Sequence, residues 1–327
     1  MAFQKNQFHR VLLNWYSKSG RPLPWRHTRD PYAILVSEFM LQQTQVATVL
    51  PYYKEWLQRF PNFGSLARAS ETAVLHAWQG LGYYARARNL RASARLVMDR
   101  HHGRLPESIP QMRKLPGIGK YTAHAIAVFG FDQSLPIVEA NSARALSRLF
   151  SLRIPIDSAS GQKALWNRAA TLIPRKYAAT YNSALLDLGA LVCLPRNPKC
   201  SICPVRKFCL AKNPESLPIK RSRPQTKRLI ERHALVIRQN KILLQSADYR
   251  WRGMWILPPA NGSSKGNDVI YEAIFPFTNH RITLNIFPAR AHQIDKVGGR
   301  WFSRRELQSI PIPSPHRRAI EQLFLAA

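Results

Sequence analysis

Four cysteines constrain this chain more than any other feature. They stand at Cys193, Cys200, Cys203 and Cys209, in the spacing C-x6-C-x2-C-x5-C, and the 327-residue sequence has no others. The first sixteen residues hold only a short apolar patch and no small-residue cleavage site, so a reducing compartment is expected. In that setting four thiols within one short stretch read as a metal site rather than as disulfides. Structural zinc usually takes two separated C-x2-C knuckles. A single compact loop is better suited to a cubane iron–sulfur cluster. Arg196, Lys199, Arg206 and Lys207 flank the cysteines and would make the loop a phosphate-contacting surface. The spacing is also compatible with a cluster that only folds the loop.

Charge narrows the choice of partner. Lys and Arg number 49 against 18 Asp and Glu, a formal charge of +31 spread over both halves of the chain. Such an excess calls for a polyanion. No 18-residue apolar run is present and no basic block flanks an amphipathic anchor, so nucleic acid is favoured over a membrane. With 45% hydrophobic residues the chain can bury two domain cores.

Up to about residue 210 the hydrophobic period is helical throughout. Asp30-Pro31 opens a helix over Tyr32–Gln43 that is apolar on nearly every face, which predicts burial. Glu38 lies within it. A carboxyl among hydrocarbon holds its proton towards neutrality, as a general acid must, although pairing with an arginine would also explain a buried glutamate. Gly80 to Asn89 reads GLGYYARARN, which combines turn glycines, stacking tyrosines and arginines suited to a distorted strand. Core tyrosines and solvated arginines account for the same residues. Leu115-Pro116-Gly117-Ile118-Gly119 is a glycine turn feeding the apolar helix Tyr121–Phe129, an arrangement that aims backbone N–H groups at a phosphate. Glu139 and Asn141 follow. Further helical patterns cover Gln45–Phe60, Glu71–Trp78, Asn89–His101, Glu107–Lys114, Ala140–Phe150, Gly161–Leu172 and Ala178–Leu191.

Residues 211–228 are rich in Pro, Lys and Arg and read as a basic linker. Beyond them His233–Arg238 and Lys241–Gln245 alternate about Gln239-Asn240, a hairpin signal. Ile282–Phe287 reads as a strand and Ser314–Phe324 as a closing helix. The expected architecture is therefore an all-α domain over 1–210 with the cysteine loop at 193–209, a linker at 211–228 and a small α+β domain over 229–327.

The glycine hairpin, the later carboxylate and the cysteine spacing together resemble the helix-hairpin-helix base-excision glycosylases of the endonuclease III superfamily. SEFMLQQTQV at 37–46 and GLGYYARARN at 80–89 resemble the MutY-type adenine glycosylases within it. RGMWILPPA at 252–260 and GGRWFSRREL at 298–307 resemble the Nudix-like domain that ends those proteins. The resemblance implies two helical lobes, a [4Fe-4S] cluster on the four cysteines, and double-stranded DNA containing a mismatch as partner. A monomer without membrane attachment is expected, and the absence of a sorting signal is compatible with a bacterial cytoplasm. Glu38 would give a proton to adenine N7, with Glu139, Asn141 and Tyr121 completing the catalytic set. Gln42 and Tyr83 would enter the duplex, while Arg86, Gly117, Gly119 and Lys120 would contact DNA. Phe277-Thr278-Asn279-His280 is the nearest match to the loop that reads the oxidised guanine, which makes Thr278, Asn279 and His280 contact residues. Asn261–Ala273 has only Asp268 and Glu272 as acids, too few for Nudix hydrolysis.

Several positions define this chain within the resemblance. Bifunctional members carry a lysine nucleophile after the basic residue of the hairpin; here Lys120 is followed by Tyr121, so a monofunctional glycosylase is expected. The family's Asp-Gly-Asn-Val is Glu139-Ala140-Asn141-Ser142 here, and His124 stands where a glycine is usual. A carboxylate displaced by about 1 Å can cost about 10²-fold in rate. Full turnover through Glu139 is the expectation. A weakly catalytic lesion-binding protein, or a glycosylase with endonuclease III-like lyase activity, is the alternative.

Overall fold

The computed structural model describes residues 4–222, 224–260, 269–289 and 298–326. It resolves into two compact units, each built from two separated pieces of chain: Met1–Gln42 with Leu96–Ser222, and Gln43–Arg95 with Arg223–Ala327.

The first unit is helical. It contains α1 (Lys5–Ser19), α2 (Pro31–Leu41), α7 (Ile109–Met112), α8 (Lys120–Phe131), α9 (Ala140–Leu149), α10 (Ala159–Leu172) and α11 (Ala178–Leu191). Asp30 caps α2, its Oδ1 accepting from the Tyr32 N–H at 3.0 Å, and Pro31 fills the first position, where no donor is needed. Every side chain from Tyr32 to Met40 is buried, as an all-round apolar helix requires. One core joins Phe8 and Leu12 of α1 to Leu146 and Leu149 of α9, Leu165 of α10 and Tyr181, Leu185 and Leu188 of α11. Phe8 and Leu12 are wholly buried, and burial of that kind contributes roughly 1.5–3 kcal/mol for each side chain.

The helix expected over Glu107–Lys114 is one turn only, α7. Leu115 precedes Pro116, which disfavours helical backbone at Leu115. The hairpin that follows turns on Gly117, whose φ of +78° suits glycine. Gly119 is extended at φ −83°, so it does not need a glycine's freedom. A Cβ there would meet nothing within 4 Å, which leaves the backbone open where α8 begins.

The second unit carries α3 (Val46–Arg59), α4 (Phe63–Arg68), α5 (Glu71–Ala77) and most of α6 (Ala85–Arg100), with Trp56 and Trp78 packed edge to face at 5.3 Å. Its strands are β1 (Lys227–Leu235), β2 (Ile237–Arg238), β3 (Lys241–Ser246), β4 (Trp255–Ile256), β5 (Tyr271–Phe277), β6 (His280–Pro288) and β7 (Arg300–Ser303). One sheet has the order β1-β6-β5, with β1 parallel and β5 antiparallel to β6; the other has the order β2-β3-β4, with β7 also on β3. The β2–β3 hairpin turns at Gln239 and Asn240, both left-handed (φ +48° and +56°), the geometry of a two-residue I′ turn. Strand β5 gave no readable signal, since Glu272 and Pro276 interrupt its pattern; its register on β6 fixes it. The closing helix α12 (Ser314–Ile320) passes into a π turn over Glu321–Leu325. Ile320 and Phe324 pack there with Leu244, Leu284, Ile286 and Phe302. Part of the acid-poor stretch, 261–268, lies outside the described residues.

Candidate active site

Glu38 sits in the middle of α2 with 5% of its surface exposed. Burial pushes its carboxyl up to about 7; the Tyr121 hydroxyl, donating to it, pulls the other way, and the charge of Glu139 adds to the rise. Its Oε2 is buried with no hydrogen-bond partner. Burial, with the two neighbouring carboxylates, raises the Tyr121 hydroxyl far above its ordinary range, so it stays a donor. Glu38, Tyr121 and Glu139 therefore form one interacting group contributed by α2, α8 and the start of α9.

Glu139 is the N-cap of α9. Its Oε1 accepts from the Asn141 and Ser142 N–H groups at 2.7 and 2.9 Å, and its own N–H donates to Ser142 Oγ at 2.9 Å. Such a capping box orients the carboxylate as a by-product of starting the helix. Burial raises the Glu139 carboxyl against the pull of these N–H groups and of the Arg144 and Arg21 charges. Ala140 is already helical and does not sit in the left-handed region, so the missing glycine carries no backbone strain. Gly189 on α11 is where a glycine does matter. A Cβ there would lie 2.6 Å from Asn141 O and 2.7 Å from Asn141 Cβ, so its absence lets the start of α9 approach α11.

Two arginines on α9 extend from this group to the cysteine loop. Arg144 donates to Asn141 Oδ1 at 2.8 Å, to Gly189 O at 2.7 Å and to Cys193 O at 2.8 Å. Arg148, 2% exposed, donates to Leu194 O, Pro195 O and Leu217 O, and to Cys193 Sγ at 3.3 Å. Neither was apparent from the sequence, because apart from Asn141 their acceptors lie 45 or more residues away and are mostly main chain. The same holds for Asp187 of α11, fully buried, which accepts from Arg21 Nε at 2.7 Å and from both terminal nitrogens of Arg26 at 2.7 and 2.8 Å. Burial would raise Asp187, but those hydrogen bonds outweigh it and hold the carboxyl low. Arg21 thus brings a fixed positive charge beside Glu139.

The four cysteines, with Arg148 and Leu149, line one cavity of about 300 Å³. None is disulfide-bonded. Burial pushes the Cys203 thiol up to about 11 and the Cys209 thiol upward, in both cases with repulsion from neighbouring cysteines adding to the effect. A cationic centre held between the four sulfurs would relieve that repulsion. Among the described residues no group of three or more His, Cys, Asp or Glu is set to hold a single metal ion. Four free thiols lining one cavity are a donor set that fits an iron–sulfur cluster.

The other residues singled out by sequence fall in separate places. Gln42 ends α2 and is half-buried, followed by left-handed Gln43 (φ +57°). Tyr83, also left-handed at φ +46°, keeps 41% of its surface exposed. Arg86, expected on the DNA surface, is 7% exposed, with its guanidinium turned into its own unit, and this corrects the expectation of a phosphate contact. Lys120 holds its Nζ 3.8 Å from the centre of the Trp166 ring. His124 packs edge-on to the same ring at 4.8 Å, its Nδ1 2.9 Å from Pro136 O. Thr278 and Asn279 form the exposed tip of the β5–β6 hairpin, with His280 beginning β6.

Residues 36–168 match the HhH-GPD superfamily of base excision DNA repair proteins, and residues 193–209 match the iron–sulfur binding domain of endonuclease III. Among solved structures, a thermostable thymine-DNA glycosylase aligns with a TM-score of 0.59 and 32% identity, covering 63% of this chain and 95% of that one. A helix-hairpin-helix glycosylase fold with an iron–sulfur loop is the class these features define.

The relatives narrow it further. Adenine DNA glycosylase of Buchnera aphidicola subsp. Schizaphis graminum is 30% identical over 96% of this chain and 98% of its own length. That of Buchnera aphidicola subsp. Baizongia pistaciae is 43% identical over 62% of this chain and 57% of its own. The chain belongs to the adenine DNA glycosylase family. Among the described residues no helix is long and apolar enough to cross a membrane.

Proposed function

We propose that this protein removes adenine paired with 8-oxoguanine or guanine in double-stranded DNA, hydrolysing the N-glycosidic bond without cutting the strand. One observation carries the reading: a buried glutamate poised near neutrality, bonded to a tyrosine and facing a second carboxylate. The base must leave the stack before Glu38 can reach it. Protonated Glu38 then gives its proton to adenine N7, and the C1′–N9 electron pair leaves with the base. The sugar is left cationic, stabilised by the Glu139 carboxylate, with Asn141 and Tyr121 positioning it. Water adds to C1′ and returns a proton to Glu38, which closes the cycle. The logic is that of paired carboxylates in sugar hydrolysis.

Gly117, Gly119 and Lys120 serve the DNA backbone, and Gln42 and Tyr83 enter the duplex. Thr278, Asn279 and His280 contact the opposing base from a Nudix-like domain joined to the glycosylase domain by the basic linker, and the protein acts as a monomer in the bacterial cytoplasm. The four cysteines hold a [4Fe-4S] cluster, whose contribution is to fold the loop that Arg148 bonds. A lyase would need an amine at position 121. The neighbouring amine of Lys120 is one position out of register and lies over the face of Trp166, where a cation–π contact of this kind is worth about 0.5–2 kcal/mol.

Single-turnover assays on an adenine:8-oxoguanine duplex test the proposal. The expected product is an abasic site in an intact strand, abolished in Glu38→Gln. A nicked strand trapped on the protein by borohydride, or background activity equal in wild type and Glu38→Gln, would overturn it.

A further inference from the structure

Arg86 lies on the first turn of α6, within a stretch whose arginines read as phosphate ligands, yet its guanidinium is enclosed. One terminal nitrogen donates to Leu81 O at 2.8 Å, to Thr44 Oγ1 at 3.0 Å and to Gly82 O at 3.1 Å. The cation also lies 5.3 Å from the Trp78 ring centre and 5.6 Å from that of Tyr83. Trp78 Nε1 donates to the same Gly82 carbonyl at 3.0 Å. Burial lowers the guanidinium to about 10, which leaves it a cation at neutral pH.

These contacts converge on a turn that needs holding. Gly80, Gly82 and Tyr83 are all left-handed, at φ +103°, +68° and +46°. For the two glycines that costs little, but for a tyrosine it costs on the order of 1–3 kcal/mol and persists only where surroundings enforce it. Thr44, at the other end of the clamp, follows the left-handed Gln43 and stands two residues after Gln42. The same cation therefore grips both the turn that presents Tyr83 and the segment that follows Gln42.

We infer that Arg86 is a positioning residue for extrusion of the target base: its buried guanidinium locks the Gly80–Tyr83 turn to Thr44 and sets the exposed Tyr83 ring for entry into the duplex. The inference rests on the reading above that Tyr83 enters the duplex. A planar fork that stacks while it donates can do this; an ammonium in its place has neither the reach nor the stacking plane. The role differs from phosphate binding, which would add affinity in proportion to charge and weaken with salt.

The test uses the iron-loaded full chain and a duplex carrying 2-aminopurine, a fluorescent adenine analogue, opposite 8-oxoguanine, beside the same duplex with adenine. Arg86→Lys keeps the charge. It is expected to bind the duplex within about threefold of wild type with an unchanged salt slope, yet to extrude 2-aminopurine and excise adenine about tenfold more slowly at saturation. The pH midpoint of excision should stay at the wild-type value, because Glu38 is untouched. Thr44→Val, which removes the Thr44 acceptor and spares the arginine, should slow extrusion in the same direction by about two- to fivefold. Wild-type rates of extrusion and excision at saturation in both variants would overturn the inference while leaving the enzyme reading intact. A loss confined to affinity, with the salt slope reduced by about one, would overturn it in favour of a phosphate contact. A wild type inert towards both duplexes would overturn the functional reading and this inference with it.

Discussion

Replacing Glu38 with glutamine should stabilise the protein while removing its chemistry. The carboxyl of an ordinary glutamate titrates at 4.5, and in α2 it is held at about 7. Between those two values the unfolded chain has lost the proton and the folded chain has kept it. The folded state then binds more protons than the unfolded one, so stability falls as pH rises. A gap of about 2.5 pH units at about 1.36 kcal/mol each amounts to roughly 3 kcal/mol, lost progressively between pH 4.5 and 7 and absent above. Glutamine has no such proton to lose, and its carbonyl can still accept from Tyr121. Equilibrium urea denaturation of the iron-loaded proteins measures the difference. The variant should gain little over wild type near pH 4.5 and about 3 kcal/mol at pH 8, with excision at background throughout. A variant no more stable than wild type at pH 8, or a difference that stays constant between the two pH values, would refute the claim that burial of an ionisable group destabilises this site.

The remaining predictions concern the same group and its supports. With protonated Glu38 as the acid and ionised Glu139 beside the sugar, single-turnover excision should fall about tenfold per unit well above pH 7 and fall again at low pH, where Glu139 gains its proton. Tyr121→Phe deletes the donor that pulls the carboxyl down, so the midpoint should move up; a downward move would show that Tyr121 does not favour the charged form. Glu139→Asp keeps an N-cap and retracts the carboxylate from a site that already works through the glutamate, so excision should be no faster than wild type; a large gain in rate would show that the glutamate is a handicap. Arg148→Met strands three carbonyls at a cost of about 1–3 kcal/mol each, so iron content and the visible absorbance of the cluster should both fall. Full retention of iron would refute that support.

What the sequence disclosed is what short-range physics controls. The all-round apolar pattern of 32–43 buried Glu38 as expected, and Gln239-Asn240 turned as a hairpin of that type must. Four cysteines in one short stretch needed no tertiary knowledge to be read as a ligand set. The carboxylate–tyrosine group was legible only through resemblance, since nothing local draws position 38 towards 121 or 139. Arginine was the least legible residue. Arg21 and Arg26 find Asp187 more than 160 residues away, Arg144 and Arg148 spend their donors on main-chain carbonyls, and Arg86 turns inward from a stretch that reads as surface. A flexible cation with five donors leaves no periodic trace of where it will point. Strand β5 escaped for a different reason: it is held by its partner's register, with a proline in its last turn of pattern.

The place of α1 has a consequence for how the protein is made. Phe8 packs against Tyr181 and Phe208, at ring separations of 6.5 and 5.6 Å, so α1 is covered by residues of its unit that are synthesised much later than it is. At roughly 5–20 residues per second, the wait before those partners emerge is on the order of ten to forty seconds. Through that interval the apolar face of α1, with Phe8 and Leu12, is uncovered, and the cysteine loop that contributes Phe208 has to close before that face is sealed. A shortage of iron during translation would then lengthen the time for which the growing chain is sticky, and poor yield would follow even where every finished molecule is sound.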